Sequence, residues 1–295
     1  MGYFKAPVMS EKFIDVPHCD RTTRAPEKPG RPDISLVIPY RNSGSHNDVL
    51  PFTLQRLNDQ SLPRRRFTII LTEQDTTPRV KDQVLPYVDG YVFGWSDRPF
   101  NRGWGLNMGF ADNPALFYCC FDVDFLVDED FFARQLARLG DGVNALRPYR
   151  FIHNLTREET SEILMQPARM KPLHPERTVP TKSVGGILII RADFYRRIGG
   201  YVEDFEGWGY EDTLLARWVK KLGEWAEAQD LVYHLWHPAT GNKKSALPNK
   251  ALCESYLDWS ADQIFERALR ITWGDPQRYR KLLEREETCV YPSHG

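Results

Sequence analysis

No apolar run in the 295-residue chain approaches the ~18 residues that a membrane-spanning helix needs. The longest, Ala115 to Phe121 and Gly185 to Ile190, stop well short, so no membrane span is expected. Neither sign of charge is in excess, since 39 Lys+Arg stand against 40 Asp+Glu, giving a net charge of −1 and a pI near 6.7. Without a global positive field, nucleic acid is not expected as a partner, and any phosphate must be held locally. Cysteine is scarce: five, an odd number at unpatterned positions, which suggests buried thiols more than a disulfide framework. Adjacent Cys119 and Cys120 lie in a strand-like run and read as buried thiols. The first residues, Met1-Gly-Tyr-Phe-Lys-Ala-Pro, lack the basic start and apolar core of a secretory signal, which gives a cytoplasmic expectation. Internal repeats and low-complexity segments are absent as well. A chain that is 41% hydrophobic and 13% aromatic is not disordered. At roughly 300 residues it can bury about three-quarters of its unfolded surface, enough for one large core or two small ones.

Pro17, Pro26, Pro29 and Pro32 among Arg21, Arg24 and Arg31 resist both helix and central strand, so residues 1–33 read as a leading arm. From Ile34 short β-rich runs alternate with helical ones: Ile34 to Ile38, Val49 to Leu57, Phe67 to Leu71, Arg79 to Leu85, Tyr91 to Phe93. This βαβαβ order implies a mostly parallel sheet covered on both faces, with ligands at the carboxyl ends of its strands. The Pro-rich patch from Pro167 to Pro180 reads as a long loop. Beyond it, Val184 to Ile190 reads as a strand, and Leu214, Leu215, Trp218 and Leu222 have helical spacing from Glu211 on. The tail from Asp262 to Glu287 reads as two helices with solvated charged faces.

Chemistry concentrates in four places. In Phe117-Tyr-Cys-Cys-Phe-Asp122-Val-Asp124 an apolar strand runs into two carboxylates on one side of an extended chain end. Their repulsion is offset by a bound divalent cation such as Mg²⁺ or Mn²⁺, although a strand end before a helix start with Asp128 and Glu129 accounts for them equally. His234 and His237, three apart, can chelate one ion from a turn but not from a straight strand, and as residues among aromatics they also read as packed side chains. Glu211 and Asp212 open a helix after Gly207-Trp208-Gly209-Tyr210, where free N–H groups hold acids ionised, a state suited to a base. Helix-start acids after a glycine loop explain the carboxylates without function, but not Trp208 between two glycines, which suits a lid or a sugar-stacking platform. Last, Arg41 ends the first strand and Arg102 begins a helix, positions from which both can meet a diphosphate, with Tyr40 or Phe100 against a base. Gly103 and Gly105 do not follow the first strand and are not a dinucleotide fingerprint.

Together these segments resemble the β-1,4-galactosyltransferase family and its relatives among the GT-A glycosyltransferases, including the galactosyltransferase-like domains of chondroitin-synthesising and polypeptide N-acetylgalactosaminyl transferases. The likeness runs in order from Ile34 to about His237. It is carried by Ile38-Pro-Tyr-Arg-Asn42, Phe100-Asn-Arg102 with Leu106-Asn-Met-Gly-Phe110, Asp122-Val-Asp124, Val184-Gly-Gly186 and Trp208-Gly-Tyr-Glu-Asp212. The resemblance implies an α/β fold of GT-A (Rossmann-like) type, a mixed, mostly parallel central sheet with helices on both faces. Its domain would span residues 34–260, with a helical extension at 261–295 packed on it.

The resemblance also implies a metal-dependent, inverting transferase that takes galactose or N-acetylgalactosamine from a UDP-sugar to a carbohydrate, glycolipid or small-glycoside acceptor, as in polysaccharide synthesis. Pro39, Tyr40, Arg41, Phe100, Arg102, Asp122 and Gly186 would bind the nucleotide sugar. Asp124, His234 and His237 would hold Mn²⁺ or Mg²⁺, with His234 replacing a family Met. Trp208, Tyr210 and Glu211 would contact the acceptor, and Asp212 would be the base. Thr213 stands where the family has a further Asp, and Tyr210 where it has a Gly, so the acceptor pocket differs. A retaining GT-A enzyme or a catalytically inactive sugar-binding relative are the alternatives. The assembly expected is a monomer or small homo-oligomer.

Overall fold

A computed structural model describes residues 19–23, 31–42, 44, 49–111, 113–140, 142–166, 177–238 and 246–282. The first half runs β1 (Cys19–Thr23), β2 (Ile34–Tyr40), α1 (Val49–Asn58), β3 (Phe67–Asp75), α2 (Lys81–Val84), β4 (Gly90–Trp95) and α3 (Arg102–Ala111). Then come β5 (Phe117–Phe121), β6 (Phe125–Leu126), α4 (Phe131–Arg138), β7 (Val143–Asn154), α5 (Arg157–Met165) and β8 (Thr178–Pro180). The last elements are β9 (Ile187–Arg191), α6 (Ala192–Arg197), α7 (Glu211–Leu222), β10 (Glu224–His234), α8 (Ala246–Leu257) and α9 (Ala261–Arg270).

The ten strands form one mixed sheet in the order β1-β4-β3-β2-β5-β9-β7-β10-β6, with β8 on β7. Strands β4, β3, β2 and β5 are mutually parallel, the product of the βαβαβ pattern. Strand β9 enters antiparallel between β5 and β7, while β7 and β10 are parallel to each other. Part of the expected arm is an edge strand, β1, antiparallel to β4, a position open to a proline-flanked segment. Most of the Pro167 to Pro180 patch lies outside the described residues, but Thr178–Pro180 pairs with β7.

Every residue of β2 is buried, as a strand covered on both faces requires. Its alternation divides the core. Ile34, Leu36, Ile38 and Tyr40 join Leu54 and Phe132 under α1 and α4, while Val37 joins Trp104, Met108, Tyr195 and Trp218 under α3, α6 and α7. The adjacent Cys119 and Cys120 fall into these two different clusters, so both are buried free thiols. Helix α3 lies close to the sheet because Gly109 has no side chain; a Cβ there would overlap Val37. The C-terminal region belongs to the same core through Ile264 and Tyr279. Where two tail helices were expected, α9 is followed by irregular chain over 271–277 and a helical turn at 278–282, and residues after 282 lie outside the described ones. No helix among the described residues is long and apolar enough to cross a membrane.

Candidate functional site

Strand β5 ends at Phe121, and the chain turns at once: Phe125 N donates to Asp122 O at 3.2 Å, and Asp122 N donates to Gly186 O at 2.9 Å. Thr53 of α1 pins the turn by donating to Val123 O at 2.8 Å. The expected extended end with both carboxylates on one side is therefore corrected. The turn separates them, so Asp122 faces Arg102 and Asp124 faces the end of β10.

Asp124 meets the histidines because β6 pairs antiparallel with β10, setting Phe125 opposite His234. Leu235 N donates to Asp124 O at 2.8 Å, and the chain leaves the strand there. That departure lets His237 swing to the same side as His234. Asp124 Oδ2 is 3.3 Å from His234 Nε2 and 3.1 Å from His237 Nε2. One donor atom from each residue lies within 4.8 Å of the others. The hydrogen bond with Asp124 raises the His237 pKa above its usual value, against the opposing effect of burial.

This trio fits a divalent cation. His237 Nδ1 lies 2.9 Å from Pro238 O, which can only accept, so Nδ1 carries a proton. In the neutral ring Nε2 then presents a lone pair to the Asp124 carboxylate, and two acceptors 3.1 Å apart call for a proton or a cation between them. One carboxylate oxygen with two imidazole nitrogens suits a transition ion better than Mg²⁺, which prefers an all-oxygen shell.

On the other side of the turn, Arg102 lies between acids: Nε is 2.8 Å from Asp122 Oδ1, Nη1 is 3.8 Å from Glu211 Oε1, and Nη1 donates to Tyr201 OH at 3.3 Å. Burial raises the Asp122 pKa, and the Asp124 and Asp212 charges add to this while Arg102 opposes it. Glu211 is 7% exposed, and its Oε2 has no hydrogen-bond partner among the described residues. Burial, then the adjacent Asp212, push its pKa up to about 7 against Arg102. The expectation that both helix-start acids are held ionised is thus corrected for Glu211, whose desolvation outweighs the helix terminus.

Gly185 and Gly186 stand between the two halves. A Cβ on Gly185 would overlap Asp212 Oδ2, and one on Gly186 would come within 2.6 Å of the Phe125 ring. Gly186 also has φ +86°, a left-handed value suited to glycine. Tyr149 OH donates to Gly185 O and fixes this approach.

The remaining expected residues are placed unevenly. Pro39 lies beside Gly105 of α3, below the loop. Tyr40 is 2% exposed and packed in the core under α1, so its ring does not lie open for a base. Arg41 is spent on main chain: Nε donates to Gln74 O and Nη2 to Ser96 O, each at 2.8 Å, and Nη1 donates to Arg98 O. It braces the loop before α3, as Arg102 braces the acids. The expectation that both meet a diphosphate thus concerns two arginines that are already bonded within the chain. Phe100 contributes its carbonyl, which accepts from Gly207 N at 2.8 Å. Trp208 is 54% exposed on that loop, while Tyr210 is half-buried against the second core cluster at φ 77°.

Sequence reasoning missed several buried polar residues that shape the site. Asn101 caps α3 by accepting from Trp104 N at 2.8 Å, takes its own N–H bond to Gln74 Oε1 at 3.0 Å, and donates to Glu203 O at 2.7 Å. Asn107 donates to Glu203 Oε1 at 2.7 Å and to Tyr201 O at 3.1 Å. An Asn immediately before a helical run is an N-cap signal that would have found Asn101. Asn107 stands within the Leu106–Phe110 motif without a role read from it, and Glu203 and Tyr149 carry no local mark.

Residues 170–236 match a family model described as the N-terminal domain of galactosyltransferase. Among curated proteins no match is found. Similar solved structures include the following three. S. aureus TarS 1–349 in complex with UDP has 13% identity and a TM-score of 0.53, over 80% of this chain and 70% of that one. A mutant of Drosophila β-1,4-galactosyltransferase 7, in complex with manganese, UDP-Gal and xylobiose, has 14% identity and a TM-score of 0.46, over 73% and 79%. A mannosyltransferase from Pyrobaculum calidifontis, in complex with GDP-Man and Mn²⁺, has 12% identity and a TM-score of 0.48, over 90% and 83%. At such identities the likeness concerns the fold. The chain thus has the α/β fold of GT-A glycosyltransferases and, over residues 170–236, the sequence pattern of galactosyltransferases.

Proposed function

We propose that this chain transfers a sugar, of galactose or N-acetylgalactosamine type, from UDP to an acceptor hydroxyl with inversion, using Asp212 as base. The observation that carries the reading is a pair of complementary groups on either side of Gly185 and Gly186. Asp124, His234 and His237 converge on one side, and Asp212 and Glu211 open α7 on the other, with side-chain-free Gly185 against the Asp212 carboxylate. A divalent cation held by the trio, Mn²⁺ ahead of Mg²⁺, would offset charge on the departing diphosphate.

Asp212 accepts the proton as the acceptor oxygen bonds to the anomeric carbon, and the bond from that carbon to the diphosphate oxygen breaks on the opposite face. General-base help of this kind contributes about 10²–10⁴-fold. Arg102 keeps Asp122 and Glu211 in place. Exposed Trp208, on a loop with left-handed residues at Gly207, Gly209 and Tyr210, offers an aromatic face to the acceptor, which we take to be a carbohydrate, glycolipid or small glycoside.

The test is a thermal-shift panel of UDP, GDP and UDP-sugars with Mn²⁺, Mg²⁺ or chelator, followed by product analysis. A nucleotide at about 100 times its dissociation constant stabilises by ~2.7 kcal/mol. A metal-dependent UDP shift and a product of inverted anomeric configuration are expected. No shift with any nucleotide would remove the donor site, and a retained configuration would remove Asp212 as base.

A further inference from the structure

Helix α8 takes no part in the chemistry above, yet it reaches the loop that carries Trp208. Its buried residues are Asn249 and Cys253, four apart on one face. Cys253 lies in the second core cluster, and beyond it the Tyr256 ring stands edge-to-face on Trp218 of α7 at 5.9 Å. The Tyr256 carbonyl accepts from Trp218 Nε1 at 3.5 Å. Helix α8 is thereby seated on α7, the helix that Glu211 and Asp212 open. One turn before Cys253, Asn249 Nδ2 donates to Glu206 O at 3.1 Å and to Trp208 O at 3.2 Å. Between these two carbonyls, Gly207 N donates to Phe100 O at 2.8 Å.

We propose that Asn249 is a positioning residue: its side-chain amide gives its N–H groups to the turn at Gly207 and so holds the Trp208 loop in one setting relative to the acids of α7. The residue type matters. A carbonyl oxygen only accepts, and the amide nitrogen of Asn or Gln is the one uncharged side-chain donor with two hydrogens, so a single buried Asn serves two main-chain oxygens without bringing in a charge. The turn needs a partner from outside because Gly207, Gly209 and Tyr210 have left-handed φ values of 77°, 94° and 77°, and such a run builds no ladder of its own. Asn249 is 5% exposed, and burial strengthens both bonds. The hold on the loop stands on these bonds alone; its effect on acceptor binding rests on the transferase reading.

Asn249→Asp keeps the shape and turns the donor into an acceptor facing two carbonyl oxygens, whereas Asn249→Ala removes donor and bulk together. Amide hydrogen exchange over residues 206–209, read at Gly207, should accelerate about tenfold or more in both variants, while exchange in β2 and β3 stays at the wild-type rate. In turnover assays the acceptor KM should rise several-fold, with UDP affinity, measured by calorimetry with Mn²⁺, unchanged. Wild-type exchange in Asn249→Asp would reduce the residue to packing, and acceleration shared equally by β2 and β3 would reduce it to global stability; either result overturns the hold on the loop. An unmoved acceptor KM in a variant whose loop exchanges faster would overturn the acceptor role. If the wild-type chain transfers no sugar, the transferase reading falls, and the exchange rates still decide what Asn249 does to the loop.

Discussion

Gly185→Ala isolates the geometry of the base from its chemistry. The added methyl would overlap Asp212 Oδ2, while the next atoms, Asp212 Cγ at 3.5 Å and Ser183 Oγ at 3.7 Å, are at ordinary contact distance. The conflict is thus confined to one carboxylate oxygen, which must retreat by about 1 Å, and a misplacement of that size in a reacting group costs about 10²-fold in rate. This corresponds to ~2.7 kcal/mol of lost transition-state stabilisation. Folding should be nearly unaffected, because Gly185 is not among the left-handed glycines, and alanine there also reduces the entropy of the unfolded chain by an amount worth about 0.4–1 kcal/mol. The assay is turnover of the best UDP-sugar with its acceptor, beside UDP binding and thermal midpoint for the same variant. Loss of turnover with binding and midpoint retained is expected. Turnover within about threefold of wild type would refute the placement of the reacting oxygen at Asp212.

Asp212→Asn should bring the rate down by 10²–10⁴-fold, roughly the worth of base catalysis, and leave the metal-dependent UDP shift in place, as thermal shift and turnover together will read. Asp124→Ala should abolish that shift, about 2.7 kcal/mol at saturating nucleotide, without lowering the midpoint of the chain alone. Glu211, with a native pKa of about 7, binds a proton that the unfolded chain has released by about pH 5, so it makes stability fall as pH rises from about 4.5 to 7 and adds no slope above that. The total is about 3 kcal/mol by order of magnitude. Denaturant unfolding of Glu211→Gln across that window should lack this component; a slope equal to wild type would count against the raised pKa. Gly109→Ala should cost about 1–3 kcal/mol through its overlap with Val37, seen as a fall of several degrees in midpoint.

The readings that succeeded rest on local signals. Apolar β-branched runs located β2 and β3, and the spacing of Leu214, Leu215, Trp218 and Leu222 located α7 from Glu211 to Leu222. Two histidines three apart became a pair on one side because β10 ends between them, a point that depended on where the strand stopped. The fate of the arginines was not legible. Arg41 and Arg102 look alike in a sequence, and only long-range packing reveals that carbonyls of three separate residues occupy one and two carboxylates the other. The turn at Val123 was hidden for a related reason, since the alternation rule holds only while the chain stays extended. Tyr279 lies 178 residues from its partner Asn101, beyond the reach of any local pattern.

If Asp124, His234 and His237 hold a cation as proposed, the two-residue pairing of β6 with β10 also dictates when that site can exist. Asp124 is made early in synthesis, but both histidines lie more than a hundred residues later, and they meet it only when the last strand of the sheet has docked at Phe125 and Leu126. A chain still growing through α7 holds only Asp124 of these three residues. On that reading, affinity at this trio is withheld from partly built chains and appears with the finished sheet, so a bound ion would stabilise the completed fold rather than its precursors. Recovery of metal binding during refolding thereby becomes a clock for the closing event at the far edge of the molecule.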